Sequence, residues 1–452
     1  MQEEKLNRKL DILLKTGCLL MESAADTSRT MRTMQRVAAW MGIQSEQLNI
    51  YIVYNMVMVN VSNDERSYTK FKRVKHHGIN LEVLREVSGL SMKAIQNDCS
   101  LDDYEERLNA ISSRKRNYTA WQVAIGGGLA CGGFCIQFGS DWLAFVYSAI
   151  SAIIGLRLRL FLNEKGSNAH VNVGIVAFVT TIIAWCFGLL SQNVPSMASS
   201  TPWHPVLSCA LFIVPGVPLI NFVSDMLSGY VQVGITRAVN TFMILLAMAF
   251  GIAFALKVCG MDNFISELSM VPHSEYKDYM LAAAISSVGF SMIFNVPRHL
   301  LKVVAVCGII AVCTRNLVNL GPSNDNMGFD LGLVAGSFVG SAVSSIICCF
   351  IVRLFRTPHQ CLSIPSVIPM IPGALMYRAL FAFINMHGVV GEVTVAMYNA
   401  IQASLTILFI ALGVAIPNVF FRRMIEPRST SVFADDILEK QQKQAVGVPS
   451  SR

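Results

Sequence analysis

The stretch IVPGVPLINFVSD, Ile213–Asp225, interrupts a run that otherwise reads as apolar helix. Two prolines, a glycine, an asparagine and an aspartate stand where a membrane helix would be continuous. Proline removes a backbone donor and glycine loosens the helix, so carbonyl and amide groups are freed inside an apolar setting. A kink would explain one such break, but there are two. FIVPGVPLIN (Phe212–Asn221) aligns with PMIPGALMYR (Pro369–Arg378), laying Pro215–Gly216 over Pro372–Gly373. Upstream, NVGIVAF (Asn172–Phe178) matches DLGLVAG (Asp330–Gly336), and downstream Asn240 lies over Asn399. The offsets agree within two residues, so the chain contains a duplicated unit.

Composition sets the surroundings of that unit. The 452 residues are 53% hydrophobic and 14% charged, with a mean hydropathy of +0.50, whereas a soluble domain carries about 25% charge. About half of the charge falls before Asn117. A charged module therefore precedes a membrane region. MQEEKLNRKL lacks the apolar core of a secretory signal. Although the net charge is +7, the basic residues flank apolar segments, which fits membrane orientation rather than nucleic acid.

Ten segments approach the ~20 apolar residues needed to span a bilayer: 120–139, 142–162, 171–192, 204–223, 231–257, 279–296, 299–319, 330–352, 361–384 and 392–421. With ten spans, Arg114–Arg116, Arg157, Arg159, Lys165, Arg298, Lys302, Arg353, Arg356, Arg422, Arg423 and Arg428 share one side. By the positive-inside rule that side, with both termini, is cytoplasmic. Lys257, Lys277 and Arg315 are exceptions. Five spans per unit, an odd number, imply two inverted repeats whose broken fourth helices meet near the midplane, as in secondary transporters. GGGLACGG (Gly126–Gly133) and GLVAGSFVGSAVSS (Gly332–Ser345) add small-residue faces for close helix packing.

The expected domains are 1–118, a small cytoplasmic α+β module; 119–260 and 261–425, the two repeats; and 426–452, a disordered tail. In the module, two helices cover 5–41, Leu48–Ser62 reads as a strand ending at Asn63–Glu65, and RSYTKFKRVKH as a second, with His76 and His77 on opposite faces.

The half-helix after each break offers N–H groups and a positive dipole end to a carboxylate. This makes Pro215, Gly216, Pro218, Pro372 and Gly373 candidate substrate-binding positions, with Asn221, Asn240, Asn399 and Arg378 as polar partners. Ionisable groups inside a membrane line pathways, which marks Asp225, Asp330 and Glu392 for proton coupling and Arg237 as a further candidate. Asp141, Asp330 and Glu392 also suit helix starts. The twelve cysteines lie mostly mid-helix and form no CxxC pair; no cofactor or metal is expected. No phosphate loop, nucleophile elbow or HExxH occurs, which disfavours an enzyme.

MESAADTSRTMRTMQRVAAWMG, RVKHHGINLEVLREVSGL, VPGVPLINFVSDMLSGYVQVGITR and IPMIPGALMYRAL resemble segments of the bacterial threonine/serine exporter family, in its fused two-half form. The resemblance implies proton-driven export of threonine and serine across the cytoplasmic membrane. Some two-part relatives are linked to succinate, so a dicarboxylate exporter is the alternative, and a membrane sensor a more distant one. A homo-oligomer is compatible with all of these.

Overall fold

The computed structural model describes residues 2–62, 66–96, 99–261, 275–322, 327–384 and 390–421. The tail, 426–452, and the turn expected at Asn63–Glu65 lie outside the described residues. Helices α1 (Gln2–Glu22), α2 (Thr27–Trp40), α3 (Leu81–Gln96) and α4 (Leu101–Ser113) pack with an antiparallel sheet of order β1-β2-β3: Leu48–Val53, Met56–Ser62 and Ser67–Arg73. The apolar face of α1 (Leu10, Leu13, Leu20) is buried with Met34 and Val37 of α2, Val57 and Val59 of β2, and Leu84 and Val87 of α3. The 3.6-residue spacing thus becomes one core.

Two local expectations are corrected. Leu48–Ser62 is a hairpin rather than one strand, turning at Tyr54–Asn55, with Val53 paired to Met56. Asparagine tolerates tight turns, yet Asn49 and Asn60 lie inside strands, so residue type does not single out Asn55. β3 ends at Arg73, which leaves His76 and His77 in the connection to α3 rather than on two faces of a strand. His77 stacks on Tyr54 with ring centroids 3.8 Å apart.

Gly89 lies inside α3, and a Cβ built there meets nothing within 4 Å. Gly89→Ala should therefore stabilise the module by about 0.5–1 kcal/mol. A thermal melt that fails to rise would show that the helix needs glycine for another reason.

The remaining helices are α5 (Ala120–Gln137), α6 (Trp142–Glu164), α7 (Ala169–Asn193), α8 (His204–Ser208), α9 (Gly216–Leu227), α10 (Val231–Val258), α11 (Tyr276–Ile293), α12 (Leu301–Asn319), α13 (Gly332–Phe355), α14 (Gln360–Val367), α15 (Gly373–Ile384) and α16 (Val390–Phe420). Helix occupies every one of the ten apolar segments. Among the described residues, six helices are long and apolar enough to cross a membrane, or seven if the bent pair His204–Ile213 and Gly216–Leu227 is one span. Their outer faces are apolar: Val146, Ile150 and Ile154 of α6, and Val231, Ile235, Val239 and Phe250 of α10, are exposed. Exposed apolar stripes of this length suit a lipid surface. The chain is a multi-pass membrane protein.

α5 and α11 are not among the six, because glycines and two glutamines dilute the apolar content of α5, and serines with Lys277 and Asp278 that of α11. They form the centre instead. A Cβ on Gly289 of α11 would run into the Gly126 carbonyl and stand 2.6 Å from Ala130 N, and one on Gly133 would stand 2.7 Å from the Ala282 carbonyl. The two backbones touch at glycines, and Ser286 Oγ donates to the Ala130 carbonyl at 3.0 Å.

The neighbours of each helix repeat between the halves. α5 packs on α6, α6 on α7, and α7 on α10; α11 packs on α12, α12 on α13, and α13 on α16. α9 lies against α10 and crosses to α16, while α15 lies against α16 and crosses to α10.

Candidate functional site

Both breaks have the same backbone. Gly216 N donates to the Val214 carbonyl and Gly373 N to that of Ile371, each at 2.8 Å. The next helical bonds follow suit, Leu219 N to Pro215 O at 3.0 Å and Met376 N to Pro372 O at 3.1 Å. Pro215 itself sits at φ −79°, ψ 62°, outside the helical region, and the first broken pair bends by 56°. The proline stops the incoming turn, and the glycine allows the other half close.

That approach is reciprocal. A Cβ on Gly216 would stand 2.5 Å from Ile368 Cδ1 and 2.7 Å from Ile371 Cδ1, and one on Gly373 would stand 2.7 Å from Leu211 Cδ2. Each glycine thus receives side chains preceding the other break. Between them is a cavity lined by Phe134, Leu211, Val214, Gly216, Phe290, Ile368, Ile371 and Gly373. Its volume of about 10 Å³ is near the minimum for one water. A cavity of this size is too small for an amino acid.

The polar candidates gather elsewhere, around the turn joining α1 to α2. Asp225 is fully buried on α9, its Oδ2 3.2 Å from Nε of the buried Arg237 on α10. Asp225 Oδ1 accepts from Thr27 N at 2.8 Å. Asn221, one turn earlier on α9, donates through Nδ2 to the Ala24 carbonyl at 2.8 Å. Arg237 reaches the Ala25 carbonyl at 3.5 Å. Asp26 caps α2 by accepting from Arg29 N at 2.6 Å, and its other oxygen accepts from Gln360 Nε2 of α14, also at 2.6 Å. One module turn is therefore held by both halves.

A second contact lies beside it. Asn240 donates to Tyr54 Oη at 3.1 Å, and the Arg237 guanidinium stands 5.9 Å from the Tyr54 ring centre. Burial raises the Tyr54 phenol above its ordinary value, against the opposing pull of Arg237 and the Asn240 bond, so Tyr54 stays protonated.

The structure thus separates what the sequence grouped. Pro215, Gly216, Pro372 and Gly373 form the breaks, with Pro218 in the first turn of α9. Asn221 and Asp225 lie further along α9 on the module turn, and Asn240 meets the hairpin tip. Arg378 is half-buried on α15 and Asn399 half-buried on α16. Asp330 is exposed before α13 with φ 54°, its amide donating to Leu320 O at 3.0 Å. It occupies a helix approach rather than the buried cluster. The Glu392 side chain lies outside the described residues. Asp141 caps α6 by accepting from Ala144 N at 2.8 Å and also accepts from Ser199 Oγ.

Asp26, Thr27 and Gln360 join the cluster without having been singled out. The legible signal was DTSR, an aspartate before a helix start, which reads as a cap. It gives no hint that the cap faces α14 334 residues away.

Two family models match successive parts of the chain. The family described as "Putative threonine/serine exporter" matches residues 11–259, and "Threonine/Serine exporter, ThrE" matches residues 279–420. The chain belongs to the threonine/serine exporter family. Relatives include the "Probable threonine/serine exporter" of Mycobacterium tuberculosis, 21% identical over 83% of this chain and 70% of the relative. The "Threonine/serine exporter" of Corynebacterium glutamicum is 19% identical over 92% of this chain and 83% of the relative. The "Probable succinate transporter subunit YjjP" of Escherichia coli is 26% identical over 59% of this chain and all of the relative. No solved structure matches. Family membership makes this chain a membrane exporter, consistent with its apolar helices.

Proposed function

We propose that the protein is a secondary transporter of the cytoplasmic membrane that exports threonine and serine, coupled to protons, through two inverted five-helix repeats. The observation that carries this reading is the reciprocal packing of two broken helices with identical hydrogen bonding. Opening the cavity between Gly216 and Gly373 would expose two half-helix N-termini, suited to a carboxylate. The module and both termini lie on the cytoplasmic side. Asp225 supplies the proton-responsive group, since a buried acid beside one arginine changes its net field on protonation.

The test is counterflow of labelled threonine in proteoliposomes. Uptake that rises with an imposed pH gradient and is competed by serine is expected; the absence of both would overturn the reading. Asp225→Asn should lose the response to the gradient, and full coupling in that variant would remove Asp225 from the mechanism.

A dicarboxylate is the second reading, favoured by the similarity of 59% of the chain to a protein named for succinate. Arg237 and Arg378 would then pair the carboxylates. Succinate should compete with threonine if this is correct, and should fail to do so otherwise.

A further inference from the structure

The groups that hold the module turn have the chemistry of an amino-acid site. Asp225 takes a backbone N–H, while Arg237 and Asn221 take backbone carbonyls, those of Ala25 and Ala24. A free α-amino acid presents the same polarity, with an ammonium in place of the N–H and a carboxylate in place of the carbonyls. The fit of the turn is incomplete. Asn221 Oδ1, on a residue 1% exposed, lacks a hydrogen-bond partner in the protein, while Asp225 Oδ2 and Arg237 Nε are paired as ions with each other at 3.2 Å without being aligned as a hydrogen bond. Permanent interfaces of such depth normally satisfy their polar atoms. Ala24 is moreover held at φ 64°, a left-handed conformation that is strained for a non-glycine residue.

We propose that Asn221, Asp225 and Arg237 form a subsite for the ammonium and carboxylate of a free amino acid, and that the Ala24–Thr27 turn occupies it as a displaceable stand-in. This rests on the amino-acid exporter reading above. An ammonium provides three donors for the two Asp225 oxygens and Asn221 Oδ1, and a carboxylate suits the guanidinium and Asn221 Nδ2. Asp225 and Arg237 together are neutral, and so is a zwitterion. A dicarboxylate would set its second charge against Asp225, which discriminates against succinate. Substrate and turn cannot share the groups, so loading releases the turn, and Gln360 on Asp26 holds the turn down from the other half.

Thr27→Pro isolates the idea. Thr27 is the first residue of α2, where proline is favourable and no intrahelical donor is lost. Asp26 at φ −68°, ψ 157° already has a conformation that proline accepts in its predecessor. The substitution removes the N–H given to Asp225 and, with it, the buried Thr27 hydroxyl. Gln360→Glu is the second variant, placing a carboxylate against Asp26 without touching the subsite. With the full chain in nanodiscs, labelled threonine should bind roughly tenfold tighter to Thr27→Pro, as expected for losing one charge-assisted hydrogen bond from a competitor. It should also bind tighter to Gln360→Glu, and lose binding in Asp225→Asn. In the unmodified chain, threonine should speed amide hydrogen exchange across residues 23–27. If threonine is transported yet both variants bind it with unchanged affinity, or exchange at the turn does not respond, the subsite is wrong while the exporter reading stands. If no amino acid is bound or carried by any form, the exporter reading fails and the subsite with it.

Discussion

Arg237→Leu should abolish transport and destabilise the protein by about 3–5 kcal/mol, the cost of leaving one member of a buried ion pair uncompensated. Asp225 is fully buried and Arg237 nearly so, with the charged atoms 3.2 Å apart. After the substitution the carboxylate keeps its hydrogen bond from Thr27 N but has lost its countercharge. The double variant Arg237→Leu/Asp225→Asn removes both charges and should recover most of the lost stability, because the residual cost is that of polar groups rather than of a naked ion. It should not recover transport. Thermal melts in detergent together with threonine counterflow separate the effects. If single and double variants melt alike, the pair is not what holds α9 to α10.

Gly289→Val should prevent assembly of the membrane helices. Even the first carbon of a side chain would collide with the Gly126 carbonyl and reach 2.6 Å from Ala130 N. These are backbone atoms and have no rotamer through which to yield. Overpacking a core costs about 1–3 kcal/mol when side chains can adjust; here the helices must part, and with them the Ser286–Ala130 bond. The measurement is the yield of monodisperse protein in detergent. Normal yield and wild-type transport from Gly289→Val would mean that α5 and α11 do not rely on this contact.

Much of the scaffold was readable in advance because it depends on repetition and period. The Pro-Gly pairs at 215–216 and 372–373 locate both breaks, and the apolar runs place a helix on each of ten segments. The hairpin at Tyr54–Asn55 was hidden because apolar alternation continues through it. The site was only partly readable. Asp225 and Asn221 stand near a break in sequence, but an α-helix advances 1.5 Å per residue, so nine residues carry Asp225 well beyond Gly216. Its partners come from residues 24–27, with which it shares no local pattern. Gln360 is one uncharged residue in a polar stretch, and only tertiary structure brings it to Asp26.

The seams of the N-terminal module bear on how such proteins can be encoded. Leu81 N donates to Phe294 O at 3.0 Å, Asn117 N to Asn295 Oδ1 at 2.8 Å, and Tyr118 Oη to Val296 O at 2.8 Å. With Asp26–Gln360, these stitch the first part of the chain to its second. The relative named as a succinate transporter subunit corresponds over its whole length to 59% of this chain. Were this gene divided between residues 261 and 275, the same bonds would become the recognition surface between two polypeptides. Matching halves would find one another through the N-terminal module as well as through the apolar helices, and gene fusion would change the kinetics of pairing more than its specificity.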